Sequence, residues 1–150
     1  MTRQPKYNWY LVEILLFTLA NFSLIYFIDI SYEALTAVKP FTLFILGIAT
    51  YRAANLISNE EITKVLRAPF VKEVKEDGKL VEEPKESGPK GAVGSLIYCS
   101  SCTGVWVACV IFYSYILIPT VTLIVALILT LSAVERFLTT TFDLLKGYTK

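Results

Sequence analysis

Cys99-Ser100-Ser101-Cys102 is the one motif whose residue types and spacing point to chemistry. Two thiols at this spacing on a helix N-terminus can act as a redox dithiol, because the amide-rich end favours thiolate. The same spacing forms half of a zinc site, since two thiolates can chelate one ion. A tetrahedral site needs two more ligands. The chain has no histidine, so they would have to come from Cys109, from carboxylates or from the CxxC of a second copy. The competing reading is structural: cysteine is small and polarizable and packs well at helix interfaces. Three cysteines do not amount to a disulfide framework. The lack of histidine also removes the commonest general base.

A second set of candidates is ionisable. Glu13, Arg52, Glu135 and Arg136 lie in or beside apolar stretches. A charge inside a membrane span is a functional hypothesis by default, with an ion or proton path as its sharp form. The structural reading is favoured here. All four lie near span ends, where long side chains can reach the interface. Pairing of Glu13 or Glu135 with Arg52 would fix the bundle. Arg67 is expected to organise the same polar face, and Trp106 to pack between helices or anchor at the interface. A small transporter or channel is a further alternative, but no interrupted helix pair or inverted repeat supports it.

The elements that must position these residues are long and apolar. The 150-residue chain is 55% hydrophobic and 18% charged, against about 45–50% and about 25% in soluble domains. Charge concentrates between Glu60 and Lys90 and at the two ends. A helix needs about 20 mostly apolar residues to cross a hydrocarbon core. Four stretches qualify: Trp9 to Ile28, Phe41 to Ile57, Val93 to Ile118, and Thr120 to Leu138. The first is longer than the about 7–15 apolar residues of a signal peptide and lacks a small-x-small cleavage site, so it reads as a retained span. The third opens on small residues that allow close helix approach. Ile118-Pro119-Thr120 is a tight turn between antiparallel helices. The loop of residues 58–92 should carry an amphipathic helix from Glu60 to Val74, with Ile62, Val65, Leu66 and Phe70 at helical spacing. Lys75 to Gly91 reads as a flexible loop or a small hairpin around Asp77-Gly78. The expected fold is therefore all-α: one membrane domain, residues 1–150, with four transmembrane helices.

Basic residues set the orientation. Arg3 and Lys6, the central loop, and Arg136, Lys146 and Lys150 carry all the Lys and Arg outside the spans except Lys39. Cytoplasmic segments carry the excess of such residues, so both termini and the central loop are expected in the cytoplasm. That places Cys99 and Cys102 near the reducing side. Four-helix membrane thiol oxidoreductases of the quinone-linked kind act at the outer side and relay electrons through a second cysteine pair, which this chain lacks. A net charge of +1 gives no support to nucleic-acid binding.

Several segments together resemble a known family. They are Ala49-Thr50-Tyr51-Arg52, Asn59-Glu60-Glu61-Ile62, Leu66-Arg67-Ala68-Pro69-Phe70, and Cys99-Ser100-Ser101-Cys102-Thr103-Gly104-Val105-Trp106-Val107-Ala108. Their order and spacing resemble uncharacterised bacterial membrane family 1360, which includes a sporulation-associated membrane protein of Gram-positive bacteria. The resemblance spans about Phe41 to Leu138. The chain departs from it at Ser100-Ser101, where the family typically has a proline or similar residue, and at Asn55, where it typically has a basic one. The resemblance implies a small multi-pass protein of a bacterial cell membrane, with sporulation as its expected setting, and no established reaction.

The expected role is thus structural or partner-binding rather than enzymatic. A thiol-based redox or zinc-binding protein is the alternative. No cofactor is expected, although zinc at Cys99 and Cys102 is a candidate. The expected partners are the lipid bilayer and a second copy or another membrane protein.

Overall fold

The computed structural model describes residues 5–28, 36, 38–76, 79–84 and 88–148. Arg3, Lys150, the loop residues 29–35 and the Asp77-Gly78 turn lie outside the described residues, as do the side chains of Lys6, Trp9 and Tyr10.

Two long helices come first, α1 (Pro5–Ile28) and α2 (Pro40–Asn59). A 3-10 turn (Glu61–Thr63) and a single helical turn, α3 (Lys64–Arg67), lead into strands β1 (Val71–Glu76) and β2 (Lys79–Pro84). The chain then forms α4 (Gly88–Tyr98), α5 (Ser100–Leu117) and α6 (Pro119–Tyr148). Among the described residues, four helices are long and apolar enough to cross a membrane, over Leu11–Ile28, Pro40–Asn59, Ser100–Leu117 and Pro119–Gly147.

The distribution of side chains fits hydrocarbon as the solvent. Large apolar residues such as Leu15, Phe22, Phe44, Val110, Ile128 and Leu131 face outward, while Arg52, Ser58, Arg67, Thr103 and Thr122 are buried. In water that arrangement would be costly, because soluble proteins bury apolar groups and leave charge outside. In lipid the polar groups must instead find partners within the bundle.

Helix α2 is the centre and packs mainly on α5 and α6. Ile45, Leu46 and Ala49 meet Ala126, with Ile111, Tyr115 and Leu129 around them. Small residues allow α2 and α5 to approach closely: a Cβ at Gly104 would sit 3.8 Å from that of Ala54. Thr130 Oγ1 donates to the Ile45 carbonyl (3.2 Å), which ties α6 to α2. Helix α1 leans on α4 and α5. Phe17 meets Trp106 edge-on, ring centroids 5.1 Å apart. Asn21 Oδ1 accepts hydrogen bonds from the Tyr113 hydroxyl (3.1 Å) and the Cys109 thiol (3.5 Å).

The third span differs from its expected extent. The sequence reads as continuous from Val93, but the chain leaves the helical region at Cys99 (φ −93°, ψ 100°), so α4 is separate and the span begins at Ser100. The break is satisfied locally. The Cys99 amide closes α4 on Ser95 and Leu96, and the Thr103 hydroxyl takes the Leu96 carbonyl at 2.9 Å. These bonds supply the partners that a helix end otherwise lacks.

The amphipathic helix is also shorter than its periodicity predicts. It ends at Arg67, and Val71 to Val74 belong to a strand. Pro69 cannot donate a backbone bond and stops the helix. The hairpin alternative is what forms: β1 and β2 pair antiparallel from Val71↔Pro84 to Glu76↔Lys79. Helix α4 lies directly on this hairpin. A Cβ on Gly94 would collide with the Phe70 carbonyl oxygen and stand 3.5 Å from Pro84 Cα.

Helix α6 is 30 residues long, about 45 Å at 1.5 Å per residue. A hydrocarbon core is about 30 Å thick, so α6 is longer than one perpendicular crossing needs.

Candidate functional site

Cys99 is the N-cap of α5, and its Sγ accepts the Cys102 amide N–H at 3.3 Å. The N–H groups of a first helical turn lack partners and carry the positive end of the helix dipole, a setting that favours thiolate on this sulfur whenever the pair is reduced. The two cysteines lie across that turn with Cα atoms 5.3 Å apart and are joined as a disulfide. Cys109, one helical stretch further along α5, is a free thiol.

The pair opens onto a groove of about 510 Å³ between α1, α4 and α5. Glu13, Cys99, Cys102 and Trp106 all line it, with Ile14, Phe17, Leu96 and Val105 among its apolar walls. Four candidates from three separate sequence regions thus share one cleft. Glu13 Oε1 is buried and has no hydrogen-bond partner among the described residues. Trp106, edge-on to Phe17, also lines a second groove between α1 and α5, so the ring pair stands between the two. Among the described residues, no three of Cys, Asp and Glu assemble into a metal-binding group.

The other candidates form a polar network at the same end of the bundle. Arg52 is 8% exposed. Its Nη1 donates to Glu60 Oε1 at 3.0 Å, and its Nε donates to Ser132 Oγ at 3.0 Å. Arg136 from α6 reaches the same Glu60 oxygen. Glu60 therefore bridges α2 and α6. The hydrogen bond from Arg52 holds its carboxyl below the usual carboxylate range; burial opposes this, and the charges of Arg136 and Arg52 assist it.

Arg67 caps the end of α2. Its Nη1 donates to the Ile57 carbonyl (3.1 Å), the Glu60 carbonyl (2.8 Å) and Thr63 Oγ1 (3.1 Å). A cation suits the negative end of a helix. Ser58 Oγ donates to Thr103 Oγ1 at 3.3 Å, linking this end of α2 to the start of α5.

The expected pairings of Arg52 are corrected by this arrangement. Among the described residues Arg52 pairs with Glu60, not with Glu13 or Glu135. Glu13 lies in the cysteine groove, and Glu135 is exposed and accepts from Thr139 on its own helix (2.9 Å). Sequence reasoning missed Glu60, Ser132, Thr103 and Asn21 as partners. Glu60 had a signal, because it is an acidic residue at the end of a span that contains an arginine. The three others are ordinary polar residues on apolar helices, and only their placement distinguishes them.

Comparison with known proteins agrees with the family resemblance. The model of a family described as protein of unknown function (DUF1360) matches residues 45–142. The UPF0713 protein YngL of Bacillus subtilis (strain 168) is 31% identical over 102 residues, covering 66% of this chain and 76% of that protein. No solved structure matches.

Proposed function

The chain belongs to the DUF1360 family of proteins of unknown function, and from that premise we propose a small multi-pass protein of a bacterial cell membrane that exchanges thiols and disulfides at Cys99 and Cys102. One observation carries this reading: the Cys99 sulfur caps α5 by accepting the Cys102 amide, with its partner cysteine at bridging distance. A helix N-terminus stabilises thiolate, the reactive form in exchange. The apolar groove beside the pair gives an incoming disulfide a sheltered approach.

The test is a redox titration of purified protein in detergent, with Cys109→Ser as the background. The pair should cycle between two titratable thiols and none as the glutathione ratio changes. Two thiols that stay free under glutathione disulfide would remove this reading. The protein would then be a partner-binding scaffold held by the Glu60 network.

Both termini and the central loop are assigned to the cytoplasm. The support is the basic excess at one end of the bundle, where Arg52, Arg67 and Arg136 also gather. A reporter fused to the C-terminus should be active only as a cytoplasmic fusion. Use in sporulation rests on family resemblance alone. A deletion strain that forms spores at the normal frequency would set it aside.

A further inference from the structure

We propose that Glu13 is the proton acceptor of the Cys99–Cys102 pair. This inference rests on the thiol–disulfide reading above. Glu13 lies on α1, far from the cysteines in sequence, yet it lines the same groove. Its Oε1 is buried without a hydrogen-bond partner among the described residues. A buried polar atom left unpaired is costly, so such a group needs an explanation. Among the described residues, neither an arginine nor a helix end explains this one. Arg52 is committed to Glu60 and Ser132. The titratable groups lining the groove from its three elements are Glu13, Cys99 and Cys102 among the described residues.

The dithiol needs such a group when it closes. In the first step the Cys99 thiolate attacks an incoming disulfide. A Cys99 S–S bond forms, the incoming bond breaks, and the departing thiolate takes a proton from water. In the second step the Cys102 sulfur attacks Cys99 Sγ and gives its proton to Glu13. The Cys99–Cys102 bond forms, the mixed disulfide breaks, and a second thiolate leaves. The pair is oxidised by two electrons and the incoming disulfide is reduced to two thiols. In the reverse direction Glu13 returns the proton to Cys102. A positioned base of this kind contributes about 10²–10⁴-fold to a proton-transfer step.

The experiment measures closure of the mixed disulfide formed with glutathione, across pH, in the full-length Cys109→Ser protein in detergent. Glu13→Gln should slow closure by about 10²-fold at neutral pH. Its rate should then rise steadily with hydroxide, where the parent protein levels off. Glu13→Asp should recover part of the rate. A Glu13→Gln rate equal to or faster than the parent at every pH would overturn the proposal, because a carboxylate acting only through its charge would hinder thiolate formation. Far-ultraviolet circular dichroism checks that the variants keep their helices. A parent protein that forms no disulfide at all would instead sink the exchange reading, so the two failures are distinct.

Discussion

Arg52 and Glu60 are joined at 3.0 Å although both belong to the α2 segment, eight residues apart. A straight helix would hold their Cα atoms about 12 Å apart. The contact forms because Glu60 leaves the helix (φ −89°, ψ 145°) and turns its carboxylate back to a guanidinium that is almost fully buried. Removing one partner of a buried pair costs about 3–5 kcal/mol. The Glu60 side chain is 23% exposed, so Glu60→Ala should cost less, about 1–3 kcal/mol. Thermal unfolding in detergent measures it. An unchanged midpoint would show that the bridge between α2 and α6 contributes little.

The same carboxylate should make stability depend on acid. The hydrogen bond from Arg52 lowers its folded-state pKa, whereas the unfolded value is about 4.3. A lowered carboxyl pKa stabilises the fold fully above the unfolded value and loses that contribution as pH falls through the folded one. The unfolding midpoint should therefore lose the Glu60 contribution only below about pH 4.3. In Glu60→Gln this acid-dependent part should be reduced. Parallel pH profiles for the two proteins would contradict the assignment.

Arg67 should be hard to replace. Its guanidinium holds two carbonyls and the Thr63 hydroxyl at once, and hydrogen bonds to charged groups contribute about 1.5–3 kcal/mol. Arg67→Ala should lower stability by about that amount. Arg67→Lys should recover only part, since a single ammonium does not reproduce the planar fork. Amide hydrogen exchange at Ile57 to Thr63 reads the effect locally, and full protection in Arg67→Ala would refute it.

Gly94→Ala tests the seat of α4 on the hairpin. Alanine is the better helix former by about 0.8–1.0 kcal/mol, so an unpacked site would be stabilised. Here the new methyl meets the Phe70 carbonyl oxygen, a backbone atom that cannot rotate away. Overpacking of this kind costs about 1–3 kcal/mol. The variant should unfold at lower temperature and admit protease to the hairpin. A gain in stability would show that α4 and the hairpin are not in close contact.

Much of this fold is legible in the residues themselves. Hydrocarbon thickness demands apolar runs of a set length, so α1, α2, α5 and α6 appear in the sequence before any contact is known. Pro119 marks the turn between the last two because a proline suits the first turn of a helix. The hairpin is legible only as one of two readings of Lys75 to Gly91, and the start of its first strand, Val71 to Val74, carries helical spacing in the sequence. The CxxC also marks the start of a helix, although the break that makes Cys99 its cap needed the backbone.

Tertiary structure alone decided the pairings. Glu13, Arg52 and Glu135 have equivalent claims on one another in sequence, because periodicity says which residues are apolar but not which polar ends meet. Packing α2 against α5 and α6 placed Glu60 between Arg52 and Arg136. Leaning α1 on α4 and α5 brought Glu13 to the cysteine groove. The sequence by itself determined that four helices seek lipid, since that follows from composition along the chain. The partner of each buried charge was settled by depth and helix rotation, which depend on how the helices fit together.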